Sequence, residues 1–553
     1  MRLNIYLSLS LFFLTLTQMS FAQNSITGVL YEKGTKNKLS DTNIFILPYK
    51  LKATTGRNGQ FIFADVPNGE LQIIVNKSGY LRLEEKHQAQ ELKLDLYLEK
   101  EFYDVFETVV TGQEIKKDIS KKTLSQKDFM KAPGAQEDPV KAVQNLPGVA
   151  NQSFSSQIVI QGSEPEDTLY SINGHEIPLI FHFGGLTSVV TPTAVEEVEY
   201  LSAGYGPEYG RALGGVINLN TRKPKTDRWH GEAFLDITKL GALTEGPITD
   251  RSSLTTSARI SYFGKIFEKV AEEMDDFAVT AAPEFQDYYV NYNYEFSKDE
   301  NFSLIGISSK DSLELIIKEG DNPNIEGDIS NETTFNRLIP RYTKTINEQT
   351  KLDLSFAYGN DNLRFNIGER FFDLSITTVT NRTAVEYVKS NHLKQIIGID
   401  AKWSKYNLDI LLPSSSSGGG VNSPSSNDIL AKLEGEYIEN SIYLRNIYKA
   451  TSKLTLSPNF RSEYFSTIKR TYLTPRFNLI YEVDNSLNLN FAYGTYYQAP
   501  KNGQDSEEFG NPDVGPQKSI HYYLSLVKDF RAGSNKGLLL DFCLLYTSPS
   551  PRD

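Results

Sequence analysis

Three groups of residues have the types and spacing to do chemistry. His175-Glu176 and His182 set two imidazoles seven positions apart beside a carboxylate. They could ligate a metal or stay hydrogen-bonded loop histidines, because a loop spacing fixes no coordination geometry. Gly204-x-Gly206 followed by Gly210 has the glycines of a dinucleotide loop. Such a loop must open a helix whose N-terminus faces pyrophosphate. Here Gly214-Gly215 run into Val216-Ile217-Asn218-Leu219, a strand pattern. The glycines are therefore read as permitting positive φ and close packing against a wall. Cys543 is the single cysteine and no His-x-x-Glu or His-Glu-x-x-His pair occurs, so neither a disulfide scaffold nor a catalytic zinc is expected. No nucleophile or paired-acid motif stands in a coherent context, and the chain is read as no enzyme, with no catalytic residues, no metal and no cofactor.

Composition agrees with a protein of β type. The net charge of −12 over 553 residues, with few basic runs, argues against nucleic acid as a partner. Length alone suggests three or four units of about 150 residues, a prior that large β structures break. Mean hydropathy is −0.38 and no apolar stretch of about 18 residues follows the first 25, which excludes helical spans. A spanning β-barrel survives that test, since it alternates polar and apolar residues. The aromatic residues are nearly all Tyr and Phe, types that favour half-buried strands.

Met1–Ala22 reads as a secretory signal peptide, with Arg2 at its start, Leu7–Leu16 as apolar core and Ser20-Phe21-Ala22 as the cleavage site. Gln23, not Cys, follows, so no lipid attachment is expected. Residues 23–100 show short alternating strands between turns. Asn58-Gly59 leads into Phe61-Ile62-Phe63 as the strongest short hairpin signal, Val66-Pro67-Asn68-Gly69 is a second turn, and Leu92, Leu94, Leu96 and Leu98 alternate with polar residues and Tyr97. The run of turn-Gly, Phe-x-Phe, Val-Pro-x-Gly and Gly79-Tyr80 resembles the carboxypeptidase-regulatory-like β-sandwich, with Arg57 where an Asp is common. The resemblance implies a periplasmic adaptor without peptidase activity. Residues 101–125 read as a linker whose Lys116, Lys117, Lys121 and Lys122 are solvated. Within it, Glu107-Thr108-Val109-Val110-Thr111 is β-prone: a strand to hand to a partner, or the last strand of the preceding domain.

Residues 126–227 carry the most specific signal. A short helix from Asp138 stops at Leu146-Pro147-Gly148-Val149. Ile158–Ile160 leads to Gln161-Gly162, and Leu169–Ile172 leads to an Asn173-Gly174 turn. Val195–Leu201 precedes Gly204–Leu219, with Gly206, Tyr209, Gly210, Gly214 and Gly215 inside it. In order and spacing this resembles the plug domain of TonB-dependent outer-membrane receptors, with Gln161-Gly162 standing where the family has Arg-Gly. The loop bearing His175, His182 and Phe183 would be a ligand-facing apex.

Residues 228–543 alternate with period two, as in Tyr288–Phe296, Leu352–Tyr358 and Leu487–Tyr493. Short turns at Thr249–Ser252, Ser297–Asn301, Asn347–Thr350 and Asp484–Ser486 fall on one side. Long connections at Gly264–Ala278 (an amphipathic helix), Pro413–Asp428 and Lys501–Pro516 fall on the other, the asymmetry of outer-membrane barrels. The expected fold is mostly β: an N-terminal β-sandwich, an α+β plug, and the N-terminal portion of a barrel of roughly 22 strands. About 14–15 strands are placed. Residues 544–553 fit no strand and are expected to be a non-native tail.

The resemblance implies a TonB-dependent receptor that imports an extracellular solute to the periplasm on inner-membrane proton-motive force. Its location would be the outer membrane of a Gram-negative bacterium, with plug and N-terminal domain facing the periplasm. Residues 107–111 would pair with TonB and its energising complex. Outer-membrane lipid and a surface lipoprotein are the further partners it implies. The alternative is an adhesin or assembly scaffold on the same barrel, without transport. Aromatic loops such as Tyr496-Tyr497 suit sugars, peptides or chelates equally.

Overall fold

A computed structural model describes residues 24–77, 80, 82–88, 92–99, 119–151, 158–182, 185, 187–262, 264, 284–317, 327–412, 429–484, 487–500, 511, 513–529 and 539–549. The chain forms two compact units: residues 1–110 with 226–228, and residues 111–225 with 229–553.

The first unit holds β1 (Asn24–Glu32), β2 (Asn43–Leu47), β3 (Leu51–Thr54), β4 (Gln60–Val66), β5 (Glu70–Asn76), β6 (Leu83–Gln88) and β7 (Leu92–Leu98). They make two sheets, β4-β1-β7 and β3-β2-β5-β6. Period-two alternation turns Ile26, Leu30, Ile44, Ile46, Phe61, Phe63, Ile73, Leu96 and Leu98 into one apolar cluster drawn from both sheets. The Asn58-Gly59 turn forms, with Gly59 at φ +68°, but it makes no hairpin. It joins β3 of one sheet to β4 of the other, so the local turn signal holds while tertiary packing decides the pairing.

In the second unit come β8 (Lys121–Ser125), α1 (Gln126–Lys131), α2 (Pro139–Gln144), β9 (Val149–Asn151), β10 (Ile158–Ile160), β11 (Thr168–Ile172), β12 (His175–Glu176), β13 (Val195–Leu201) and β14 (Gly215–Thr221). Five of these strands form a sheet in the order β12-β11-β14-β13-β8. The linker expected through residue 125 ends sooner, because β8 pairs antiparallel with β13 from Lys121↔Leu201 to Ser125↔Glu197. Asp138 starts α2: its Oδ1 accepts from the Val140 and Lys141 amides, and its Oδ2 accepts from Thr187 Oγ1 at 2.9 Å and the Ser188 amide at 2.6 Å. One buried carboxylate thus caps a helix and ties it to a distant loop. Asn173 and Gly174 both have positive φ, as a type I′ turn between β11 and β12 requires.

A 15-stranded antiparallel wall follows in strict chain order. Its strands are β15 (His230–Leu235), β16 (Lys239–Thr249), β17 (Ser252–Ser261), β18 (Glu284–Ser297), β19 (Glu300–Ile317), β20 (Gly327–Asn347), β21 (Thr350–Ile367) and β22 (Arg370–Ser390). They continue as β23 (Leu393–Leu412), β24 (Ile429–Lys449), β25 (Leu454–Phe465), β26 (Arg470–Asp484), β27 (Leu487–Gln498), β28 (Gln517–Asp529) and β29 (Leu539–Pro549). Most exceed the roughly 9–11 residues a spanning strand needs. Tyr288 is 51% exposed and its neighbour Tyr289 3%, so apolar rings point out and the other register points at the plug. The strand pairing keeps the four expected short turns at one end, joined there by Ser390–Leu393. The expected helix over 264–278 lies outside the described residues apart from Gly264. The wall also runs past its expected end: β29 pairs with β28 through Ser519↔Pro549, so residues 544–549 are strand, not a structureless tail.

Candidate functional site

The inner register of the wall presents a series of arginines, and five of them reach plug main chain. Arg259 Nη2 donates to Ser188 O at 2.7 Å and Arg337 Nε to Glu176 O at 3.1 Å. Arg382 donates to Gly174 O and, at 2.8 Å, to Glu208 O. Arg461 Nη1 donates to Pro207 O at 3.0 Å, and Arg476 donates to Gly206 O and, at 2.7 Å, to Tyr209 O. Carbonyls in turns lack sheet partners, so a planar guanidinium that reaches several at once satisfies them and fixes the loop.

Between these contacts lies an ionic seam. Asp400, 1% exposed, accepts from both Nη atoms of Arg211 at 3.0 Å and from Arg461 Nη2 at 2.7 Å. Glu176 takes Lys402 Nζ at 3.0 Å and Arg211 Nε at 3.4 Å, and Glu208 pairs with Arg445. Arg461 Nε also meets Glu463 at 2.5 Å, and Glu439 lies 3.9 Å from Arg211. With Arg382, five cations face five carboxylates, which lets so many charges share a buried seam. Burial pushes the Glu176 carboxyl up, but Lys402 and Arg211 outweigh it and hold it below the usual carboxylate range.

Both histidines expected at a ligand-facing apex are instead buried, each about 1% exposed, at the plug–wall contact. His175 sits between two hydroxyls, Thr380 Oγ1 at 2.7 Å and Ser355 Oγ at 2.6 Å. Burial, reinforced by the Arg382 and Arg341 charges, lowers its pKa to about 3, so it stays neutral. His182 has the opposite surroundings: Nε2 meets Asp287 at 2.9 Å, Nδ1 meets Asp311 at 2.8 Å, and its ring stacks on Phe285 at 3.9 Å. Burial alone would lower its pKa, but the two carboxylates raise it to about 9. Each ring nitrogen already faces its own carboxylate, an ion-pair clamp with no vacant site for a metal. Phe183 lies outside the described residues.

The plug motifs fall into three groups. Pro147-Gly148 meets Gln161-Gly162, with the Gln161 amide on Gly148 O at 2.7 Å. The Asn173-Gly174 turn is held by Asn218, whose Oδ1 accepts from the Gly174 amide at 2.8 Å. Gly206, Tyr209 and Gly210 face the wall arginines, while Gly214 and Gly215 pack on Ser163 and Ile160. Positive φ and close packing against a wall were expected along this glycine run: Gly204 has the first, at φ +59°, whereas Gly206, Gly210, Gly214 and Gly215 have only the second. A Cβ on Gly210 would stand 2.6 Å from Arg461 Cζ and 2.5 Å from Glu463 Oε1, and that guanidinium is already fixed by four partners. Gly210→Ala is expected to loosen plug docking by about 1–3 kcal/mol. Gly231→Ala, where a Cβ meets nothing within 4 Å, should change it by less than about 0.5 kcal/mol. Urea midpoints of plug release from the solubilised protein measure both.

Tyr496, expected in a solute-facing loop, is a buried β27 residue 4.5 Å from the Tyr205 ring and under Arg476 at 4.3 Å. Sequence reading missed the wall arginines and Asp400. Their signal was register: Arg461 shares its strand face with Asn459 and Glu463, and Arg476 with Thr474 and Asn478, the lumen parity of each strand. The 107–111 segment lies outside the described residues. The next described strand along the chain is β8, where Lys121 Nζ meets Glu199 at 2.6 Å, and Glu199 in turn accepts from Asn218 Nδ2 at 3.0 Å and Tyr209 OH at 3.3 Å.

Comparison with known proteins agrees with this arrangement. Residues 112–216 match the TonB-dependent receptor plug domain, and residues 217–541, more than half of the chain, match the TonB-dependent receptor-like β-barrel. A stretch of 109 residues is 31% identical to the TonB-dependent transporter Oar of Myxococcus xanthus; it covers 19% of this chain and spans 8% of that transporter's length. Among solved structures, a variant of the ferric enterobactin receptor PfeA of Pseudomonas aeruginosa superposes with a TM-score of 0.60 at 16% identity, covering 80% of this chain and 73% of that one. The siderophore receptor PirA of Pseudomonas aeruginosa gives 0.54 at 17% identity, covering 78% and 75%. The outer-membrane transporter YddB of Escherichia coli gives 0.56 at 11%, covering 74% and 67%. No helix among the described residues is long and apolar enough to cross a membrane. The plug and wall identify the chain as a member of the TonB-dependent receptor family, which consists of receptors and transporters, not enzymes.

Proposed function

We propose that this receptor binds an extracellular solute and imports it into the periplasm, driven through TonB by the inner-membrane proton-motive force. The observation that carries this reading is the plug itself, held against the lumen face of the wall by paired charges and carbonyl contacts that exchange for water. A plug that blocked the lumen for good would be better served by apolar packing. Residues 107–111 are the TonB-pairing strand, and β8 receives the pull. The first unit is the carboxypeptidase-regulatory-like adaptor, on the periplasmic side with the plug. Among the described residues β15 and β29 each have one strand neighbour, and an open edge in lipid leaves main-chain groups unsatisfied. We read the wall as part of a barrel of roughly 22 strands. A surface lipoprotein remains a partner suggested by family resemblance alone.

Ferric siderophores, which the names of the ferric enterobactin and siderophore receptors specify for those proteins, are the first solute class to test here. Deletion of Thr108–Thr111 is expected to weaken capture of the purified periplasmic domain of TonB at least tenfold, read by titration calorimetry on the solubilised receptor. It should also abolish protonophore-sensitive accumulation of ferric enterobactin if that is the solute. Unchanged TonB affinity would sink the coupling role of the segment.

A further inference from the structure

The plug meets the wall through three arcs: an apolar one on β16–β21, a charged and polar one on β22–β26, and a second apolar one where Ala492, Tyr496 and Tyr523 of β27–β28 join clusters with plug residues such as Ala203 and Tyr205. On β16 and β18–β21, the inward residues Leu243, Tyr289, Ile305, Phe335, Ile339 and Ala357 form one apolar cluster with plug side chains such as Phe129, Val140, Ile180 and Val189. On β22–β26 the plug-facing contacts are charged and polar, and among the described residues no side chain of those five strands joins an apolar cluster with the plug. Separating the first arc would expose hydrocarbon to water with nothing gained in return. Separating the second exchanges protein hydrogen bonds for hydrogen bonds to water and rehydrates charges that burial had desolvated.

The path of the pull ends at the second arc. Lys121 of β8 is paired to Glu199, and Glu199 accepts from the Tyr209 hydroxyl. Tyr209 stands in the loop that carries Glu208, Gly210 and Arg211, and its ring lies 5.5 Å from the Arg382 guanidinium. Drawing β8 away would remove the cation from a buried carboxylate and act directly on that loop.

We propose that the energised receptor opens a water-filled passage between the plug and β22–β26, while the apolar seam on β16–β21 stays shut and serves as the hinge. This rests on the transport reading above. The passage would be lined by Glu176, Glu208 and Arg211 on one side and Asp400, Lys402 and Arg445 on the other. Such a lining of alternating sign admits a hydrophilic solute that offers both donors and acceptors, and it selects against an apolar one.

The test places one cysteine in each of the first two arcs of the full chain carrying Cys543→Ser. Ser441→Cys reports β24 and Ala357→Cys reports β21; both native residues are about 5% exposed or less. Cells are treated with a membrane-impermeant sulfonated maleimide, with and without a protonophore, and the ratio of the two labelling rates cancels the intrinsic reactivity of each thiol. Energised cells are expected to label position 441 at least tenfold faster than de-energised ones, with position 357 unchanged. Equal or greater acceleration at 357, or slow labelling at 441 in both energised and de-energised cells, overturns the proposal. Fast labelling at 441 in both states keeps the passage and defeats the energy-coupled transport reading instead. If Ser441→Cys does not reach the membrane, Thr380→Cys on β22 takes its place, under the same criteria.

Discussion

Asp400→Asn is expected to weaken docking of the plug by about 3–5 kcal/mol, although the side chain keeps its shape. The native carboxylate accepts from three guanidinium nitrogens: both Nη atoms of plug residue Arg211 and Nη2 of wall residue Arg461. An amide offers one acceptor oxygen and turns an NH2 group toward donors, so at least one guanidinium loses its partner. The five-to-five balance of the seam also becomes five cations against four carboxylates. The cost is that of leaving charge buried without compensation, and it exceeds what the pair contributes by attraction. Asp409→Asn is the control. Asp409 pairs with Lys432, whose side chain is 79% exposed, and such a pair contributes at most about 1 kcal/mol. Urea titration of the solubilised receptor, read by protease access to the plug, separates the two. Equal midpoints for Asp400→Asn and the parent would show that the seam does not hold the plug.

The elements of this receptor were legible because their signals are local. Period-two alternation marks Tyr288–Phe296 as a two-faced strand, and Asn173-Gly174 supplies the positive φ that a tight turn needs. Asp138 before Pro139 announces a helix start for the same reason. What the sequence concealed is the contact between plug and wall. His182 meets Asp311 at a separation of 129 positions, and Arg476 meets Gly206 at 270. No periodicity spans such distances, so a histidine in a polar loop looked like a solute contact when it is a buried clamp. The glycine run illustrates the same limit. Its requirement for small residues and close packing against a wall was readable, but the partner, a guanidinium from a distant strand, was not. β8 was misread through its lysines, whose charge suggests solvent, because the buried carboxylate that attracts Lys121 lies on β13.

His182→Gln turns the clamp into a pH experiment. The groups facing the imidazole are Asp287 from β18, Asp311 from β19 and Arg259 from β17, with Phe285 against its ring; on the plug itself, Asp138 is turned to Thr187 and Ser188. With the ring protonated, two cations face two carboxylates; with it neutral, one carboxylate is left over in a buried site. The docked pKa is raised to about 9 from an ordinary value of 6.5. Its contribution to docking is therefore complete below about pH 6.5 and is lost as pH rises through about 9. At 1.36 kcal/mol per pKa unit this amounts to about 3 kcal/mol at pH 6. Glutamine can hydrogen-bond but cannot take the charge. In the parent, the urea midpoint of plug release should fall steeply between pH 7 and 10, whereas the variant should start low and stay level across that window. A parent curve that is flat from pH 7 to 10, or a variant that falls in parallel with it, would show that the histidine holds the plug by shape alone. The sign matters for function: a clamp that tightens as pH falls keeps the plug seated in acid surroundings, so opening must work against His182 from whichever flank it begins. A passage along β22–β26 avoids that work, because the clamp sits on β17–β19, inside the arc that stays shut.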